Sequence, residues 1–373
     1  MENKLLIAVA GSGKTTYLIK KALEIKEERV LITTYTEANA AEIKNKFVSL
    51  RGCVPENITI QTWFSFLLSQ AVRPYQDLMN KDLFERKIGF FLTEKPSGYR
   101  FTNKYRQPVY WGERDFFKYY FTPDLKIYSD KIAQFIIKCN SSSKGRVFER
   151  ISKIYPHIFI DEVQDLAGWE LEIIKLLFTT SSEICLVGDP RQVTYLTHHP
   201  RKYVKYKFGK IDEFIKEECP KDSCNIDYET LKTTHRNNQE ICDFASKVFP
   251  EYDESNPCEC EDCRVNASGH KGIFLVKKNA LKKYTELYKP TILKWSRSVY
   301  PEWNFGKSKG LTFDHVLIHP TSKIKEWLEN NESELATTSK CKLYVAITRA
   351  RYSVGFVMGN NDSLSVKNAT LYV

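Results

Sequence analysis

The sequence has no long hydrophobic run. Its most apolar stretches, such as Leu5–Ala10, fall far short of the ~20 residues that cross a bilayer as a helix. That excludes a membrane-spanning helix and removes the membrane as an expected partner. The opening residues, MENKLLIAVAGSGK, lack the extended apolar core of a secretion signal, because the run ends in glycines and a lysine. A cytoplasmic location is expected, and the 10 cysteines are then read as reduced thiols. There is no internal repeat and no low-complexity tract, which excludes a repeat array or a linker-like chain.

What is there is globular. Hydrophobic residues make up 42% and charged residues 27%, close to ordinary folded composition and unlike a disordered or fibrous chain. A chain of 373 residues suggests two or three domains at roughly 100–200 residues each. Lys plus Arg number 56 against 46 Asp plus Glu, a formal charge of +10. That surplus favours a polyanionic partner, a property shared by ribosomal, nucleic-acid and membrane-surface proteins.

The chain alternates apolar runs with amphipathic stretches. Strands are expected at Leu5–Ala10, Arg29–Thr34 and Asn57–Thr62, with helices from Thr15 and over Ala38–Lys46. This rhythm predicts a parallel α/β sheet. Residues 67–143 break it: they read as mostly helical, rich in aromatic and basic side chains, and inserted. The rhythm returns at Ile158–Asp161, Trp169–Phe178 and Ile184–Val187. Lys202–Lys221 is charged and reads as a link. Further strands are expected at Gly272–Val276, Val316–His319 and Ser353–Val357, with a loose loop at Asp253–His270.

Ala8-Val9-Ala10-Gly11-Ser12-Gly13-Lys14-Thr15 lies between a strand and a helix. It reads as a P-loop with Ala in the opening Gly position. Glycines let successive N–H groups turn inward around a phosphate, and the following helix N-terminus adds its positive end. Ala10, Gly11, Ser12, Gly13, Lys14, Thr15 and Thr16 are therefore the expected nucleotide-binding residues. Lys14 would reach the β- and γ-phosphates, and the Thr15 hydroxyl would hold Mg²⁺. Such a loop needs acid beside it. The strand Ile158-Phe159-Ile160-Asp161-Glu162 offers Asp161 for the metal and Glu162 to polarise the attacking water.

The following residues narrow the class. Asp161-Glu162-Val163-Gln164-Asp165 resembles the DExQD box of superfamily 1 helicases of the UvrD/Rep/PcrA type. Other boxes follow in the family's order. Thr34 to Ile43 resembles TFTNKAAxEM, and Gln61 to Phe66 resembles TxHSF. Val187 to Tyr195 resembles GDxxQxIY, and Thr234-His235-Arg236-Asn237 resembles NYRS. Lys309 to Asp314 resembles KGLEFD, and Leu343 to Ala350 resembles LYVAxTRA.

The resemblance implies two RecA-like P-loop NTPase lobes with parallel sheets plus a mainly helical inserted subdomain. The implied boundaries are 1–66 and 144–225 for the first lobe, 67–143 for the insert, and 226–373 for the second lobe. ATP and Mg²⁺ would bind between the lobes. By the same resemblance Gln192 senses the γ-phosphate, Arg236 and Arg349 are the arginines that contact it, and His235 and Gly310 fall near the nucleotide. Tyr35, Thr36, Thr62, Trp63, Phe64 and Tyr195 fall in boxes that touch DNA in relatives. Bases stack on aromatic faces with little sequence preference, while hydroxyls hold phosphates; each aromatic could equally be core. The insert interleaves Tyr99-Arg100-Phe101, Lys104-Tyr105-Arg106 and Tyr110-Trp111, a composition that suits a strand-binding groove or an aromatic core.

The implied activity is an ATP-dependent translocase or helicase, 3′-to-5′, acting on single-stranded DNA or on a duplex with a single-stranded tail. The alternative is an ATP-gated DNA-sensing switch that works with a partner such as an antiphage nuclease. The sequence departs from its relatives in places. It opens at the P-loop strand, without the upstream segment in which relatives carry an adenine-reading Gln. His235 stands where they place an adenine-stacking Tyr, and Thr312 replaces a Glu. Leu-Thr-His-His follows Tyr195 in place of WRGA. Only about 70 residues separate Arg236 from Lys309, too few for the second large insertion. A compact motor is expected. Last, Cys258, Cys260 and Cys263 form a CxCxxC group. With His270 or Cys224 it could bind zinc, but a single such group is weaker than paired CxxC motifs, and an exposed loop of reduced thiols is the favoured reading.

Overall fold

The computed structural model describes residues 2–194, 202–264, 269–296, 299, 301–330, 333–360 and 366–373. The chain forms two compact units. The first comprises Met1–Leu6, Thr15–Gly188 and Leu196–Asp227, and the second Ile7–Lys14, Asp189–Tyr195 and Tyr228–Val373.

The first unit is built on a six-stranded sheet. Its order is Asn225–Asp227, Lys4–Ile7, Glu183–Gly188, His157–Asp161, Val30–Thr34, Ile58–Thr62. Val30–Thr34 pairs in parallel with both Ile58–Thr62 and His157–Asp161, which pairs in parallel with Glu183–Gly188. Every residue of Val30–Thr34 and His157–Asp161 is buried. Continuous apolar strands of this kind belong to parallel sheets covered on both faces. The helix Glu37–Arg51 starts at Thr36, whose hydroxyl accepts the Asn39 N–H, and stops at Gly52 with φ 78°; only a residue without Cβ takes that left-handed cap cheaply.

The inserted segment packs within this unit. It holds the π-helix Leu67–Val72 and the helix Ser129–Ser142, which buries Ile132, Phe135, Ile136 and Cys139. It also holds a parallel pair, Gly89–Phe91 with Lys126–Tyr128, and the hairpin Tyr99–Thr102 with Pro108–Tyr110. The sequence shows no strand signal there because runs this short carry no readable period. The expected link at 202–221 is instead an amphipathic helix, Ile211–Glu218, burying Ile211, Phe214 and Ile215. Its i, i+3, i+4 apolar spacing is helical, and the charges that suggested a linker are its outer face.

The second unit has its own six-stranded sheet, ordered Trp303–Asn304, Thr291–Lys294, Phe313–His319, Ala350–Met358, Gly272–Lys277, Ala369–Tyr372. All its pairings are parallel. The expected loose loop contains a two-residue strand, Asn256–Pro257, and a short helix, Glu261–Arg264. No helix among the described residues is long and apolar enough to cross a membrane.

Candidate nucleotide and strand-binding sites

In the first unit the acid comes to the hydroxyl. Thr15 lies in the first turn of the helix Lys14–Glu24, and Asp161 ends a central strand. The Thr15 hydroxyl donates to Asp161 Oδ2 at 3.0 Å, while Asp161 Oδ1 accepts the Glu162 N–H at 2.9 Å. Asp161 is 5% exposed. Glu162 adopts φ 59°, a left-handed backbone that costs a non-glycine residue about 1–3 kcal/mol and clusters at functional sites. Gln164 holds Glu162 from below through its amide.

In the second unit the glycine loop turns on Gly11 and Gly13, at φ 75° and 82°. Its backbone is tied to neighbours: the Val9 N–H donates to Leu231 O at 3.0 Å, and the His235 N–H donates to Gly11 O at 2.9 Å. A Cβ at Gly11 would lie 2.7 Å from both Arg236 Cβ and Thr234 Oγ1, so close approach as well as φ requires glycine. Ala10 is buried. The Ser12 hydroxyl is buried and has no protein partner.

The expected sensor residues form a network there. Arg349 is 1% exposed. Its guanidinium donates to Val345 O at 3.1 Å, Leu311 O at 3.3 Å and Gln192 Oε1 at 3.1 Å. Gln192 Nε2 donates to Asp189 Oδ2 at 2.7 Å. Arg236 donates to Thr348 O at 3.1 Å, one residue from Arg349. Gly310 is exposed at φ 88°. Three residues of this network were not singled out from sequence. Arg191 pairs with Asp189 at 2.9 Å and donates to Ala8 O at 3.1 Å; the Asp189 carboxylate raises its pKa against the opposing effect of burial. Asn237 donates to Ala350 O at 2.7 Å. Paired acid and base inside the GDxxQ-like box was the available signal for Asp189 and Arg191.

The aromatic boxes meet in the first unit. The Phe64 ring stacks on Phe90 at 4.7 Å, and Tyr35 approaches it edge-on at 5.6 Å. Tyr35, Thr36, Thr62, Phe64 and Phe90 line a cavity of about 380 Å³. Thr36 and Thr62 also cap helices, accepting from Asn39 and Ser65 N–H groups. Trp63 is 1% exposed, and its indole N–H donates to the buried Glu170 at 3.0 Å, so its ring faces neighbours and not solvent. Tyr195 lies outside the described residues. In the insert the aromatics divide: Tyr120 and Phe121 are buried, while Tyr99, Phe101 and Tyr105 are exposed, and Arg100 lies over Trp111 at 4.4 Å.

A strand–glycine loop–helix, an acid at a strand end and a glutamine–arginine network define a P-loop NTPase on a parallel α/β frame. Comparison with known proteins narrows this. The UvrD/REP helicase N-terminal domain matches residues 1–88 and 114–197. The chain is 28% identical over 109 residues to the RecBCD enzyme subunit RecB of Borreliella burgdorferi, covering 29% of this chain and 8% of that protein. It is 23% identical over 234 residues to the ATP-dependent DNA helicase Rep of Buchnera aphidicola subsp. Schizaphis graminum, covering 51% and 35%. Among solved structures, an Arterivirus nonstructural protein 10 (helicase) with DNA aligns with 98% of this chain and 62% of that one, at 14% identity and a TM-score of 0.44. The chain thus spans well under half the length of these curated relatives. Over residues 1–88 and 114–197 it is similar to UvrD/REP helicases.

Proposed function

We propose that this chain is the motor of an ATP-dependent, UvrD-like translocase or helicase that moves 3′-to-5′ along single-stranded DNA, with ATP hydrolysed between two RecA-like lobes. The observation that carries the reading is the Thr15–Asp161 hydrogen bond at 3.0 Å, which sets a hydroxyl and a carboxylate as neighbouring oxygen donors. Such a pair fits Mg²⁺, and the partnerless Ser12 hydroxyl beside the glycine turn fits a phosphate oxygen. Mg²⁺ held there would offset phosphate charge. The chain's own residues do the rest. The loop N–H groups and Lys14 bind the phosphates, and Glu162, held by Gln164, accepts a proton from the attacking water. Arg236 and Arg349 stabilise charge on the transferring phosphoryl group, and Gln192 links Arg349 to the loop after the strand Glu183–Gly188. Tyr35 and Phe64 offer stacking faces to the strand, with Thr36 and Thr62 beside them for phosphates.

The test is ATP hydrolysis with and without single-stranded DNA, for the wild type and Glu162→Gln. DNA stimulation abolished by the substitution supports the motor. A folded, ATP-binding protein that DNA does not stimulate refutes it and favours the second reading, an ATP-gated DNA switch working with a nuclease. The similarity to a protein named as a RecBCD subunit is what favours that second reading.

A further inference from the structure

Away from the phosphates, four side chains converge that the motor reading does not use together. His235, Cys258, Cys260 and Cys263 each offer one ligand atom, and these atoms all lie within 4.8 Å of one another. Cys260 Sγ is 2.9 Å from both Cys258 Sγ and Cys263 Sγ, and His235 Nδ1 is 3.6 Å from Cys260 Sγ and from Cys263 Sγ. The other candidate fourth ligands are elsewhere. His270 stacks on Tyr288 and meets the Tyr284 hydroxyl at 2.9 Å, and Cys224 belongs to the first unit.

The backbone builds this convergence. Thr233–Thr234 pairs in parallel with Asn256–Pro257, and the Cys258 N–H donates to Thr234 O at 2.9 Å. That register sets His235 beside Cys258. The chain then turns into the helix Glu261–Arg264, with the Cys263 N–H on Cys260 O at 3.3 Å, which brings the CxxC pair face to face. Hydrophobic burial does not explain the grouping, because His235 and Cys260 are exposed.

The donor set is one imidazole nitrogen and three sulfurs. Soft thiolates select zinc over magnesium or calcium. With Zn–S near 2.3 Å and Zn–N near 2.0–2.1 Å, tetrahedral ligand atoms lie about 3.4–3.8 Å apart, within the spread seen here. A two-iron cluster would spread its ligands more widely than one ion does. We propose that His235, Cys258, Cys260 and Cys263 bind a single Zn²⁺ in a closed structural site. The ion fastens the segment that leads into Arg236 onto residues 256–263, at the point where the His235 N–H holds Gly11 O. The metal site stands without the motor reading; only its effect through Arg236 rests on that reading.

The test measures metal content of the full chain, purified under reducing conditions, by mass spectrometry of the elements. About one zinc per chain is expected in the wild type and in Cys53→Ser, an exposed cysteine elsewhere, and none in Cys260→Ser or Cys263→Ser. Because those variants can lose their fold, Co²⁺ is also titrated into chelator-stripped wild type. Intense visible absorption of a tetrahedral thiolate site, displaced by Zn²⁺, supports the proposal. A folded, fully reduced wild type with neither zinc nor that spectrum overturns it, as does a disulfide among the three cysteines in protein kept reduced. ATP hydrolysis is read separately. Zinc present but without effect on DNA-stimulated hydrolysis retains the site and removes its link to Arg236.

Discussion

Arg191→Ala tests the least expected element of the network around the glycine loop. The Arg191 and Asp189 side chains are 6% and 0% exposed, and their atoms meet at 2.9 Å. Removing one partner of a buried pair strands the other charge in low dielectric and costs about 3–5 kcal/mol. Here the Ala8 carbonyl also loses its donor, and the Tyr344 ring loses a cation 5.0 Å away. We take about 3–5 kcal/mol as the whole effect, since these contacts are not additive, which is a factor of at least about a hundred in the folded-to-unfolded ratio of the second unit. A two-unit protein does not melt in one step, so the assay is amide exchange resolved to the helix Thr337–Ile347. Its opening free energy should drop by the stated amount in Arg191→Ala. The double variant with Asp189→Ala should lose less than the sum of the single variants, because no lone charge remains. A loss below about 1 kcal/mol, or strict additivity, would refute a coupled buried pair.

Other substitutions probe the remaining parts. Thr15→Val keeps the shape and deletes the metal-side hydroxyl, so ATP hydrolysis should fall at least about tenfold, read in a steady-state assay. Arg349→Lys loses the fork that holds Val345 O, Leu311 O and Gln192, and kcat should fall about 10³-fold or more with folding retained by circular dichroism. Tyr35→Ala should weaken single-stranded DNA binding by about 1–3 kcal/mol in fluorescence anisotropy. Burial lowers the His270 pKa from 6.5 to about 4, aided by His315. The unfolded chain therefore binds the proton first on acidification, and stability is lost as pH falls from 6.5 toward 4. His270→Phe, which keeps the stacking on Tyr288 and Phe274, should flatten that part of the stability profile in pH-dependent denaturation.

The parallel strands were legible because burial on both faces demands unbroken apolar runs, and Val30–Thr34 and His157–Asp161 show them plainly. The glycine turn was legible because few residue types turn a backbone through positive φ, as Gly11 and Gly13 do. Short pairings such as Gly89–Phe91 with Lys126–Tyr128 were not, since three residues hold no period. The helix Ile211–Glu218 was missed because its outer charges outnumber its buried face. Trp63 and His235 show a different limit. Their sequence positions fit ligand-facing roles, while their contacts depend on Glu170, Cys260 and Cys263, residues 25 or more positions away. Periodicity and local motifs carry no information about such partners.

How binding at the loop could reach the arginines follows from the bonds inside the second unit. Coupling needs a continuous physical link with two arrangements. The loop backbone supplies three attachments. Arg191 holds Ala8 O, Leu231 O accepts from Val9, and Gly11 O accepts from His235. Arg191 leads through Asp189 to Gln192 and then to Arg349. His235 leads directly to Arg236, which holds Thr348 O beside Arg349. Both arginines are thus reached from one loop by separate routes, one through a buried ion pair and one through a backbone bond next to the cysteine cluster. A change of loop shape at Gly11 reaches both routes, because each begins at a backbone carbonyl of the loop, Ala8 O or Gly11 O.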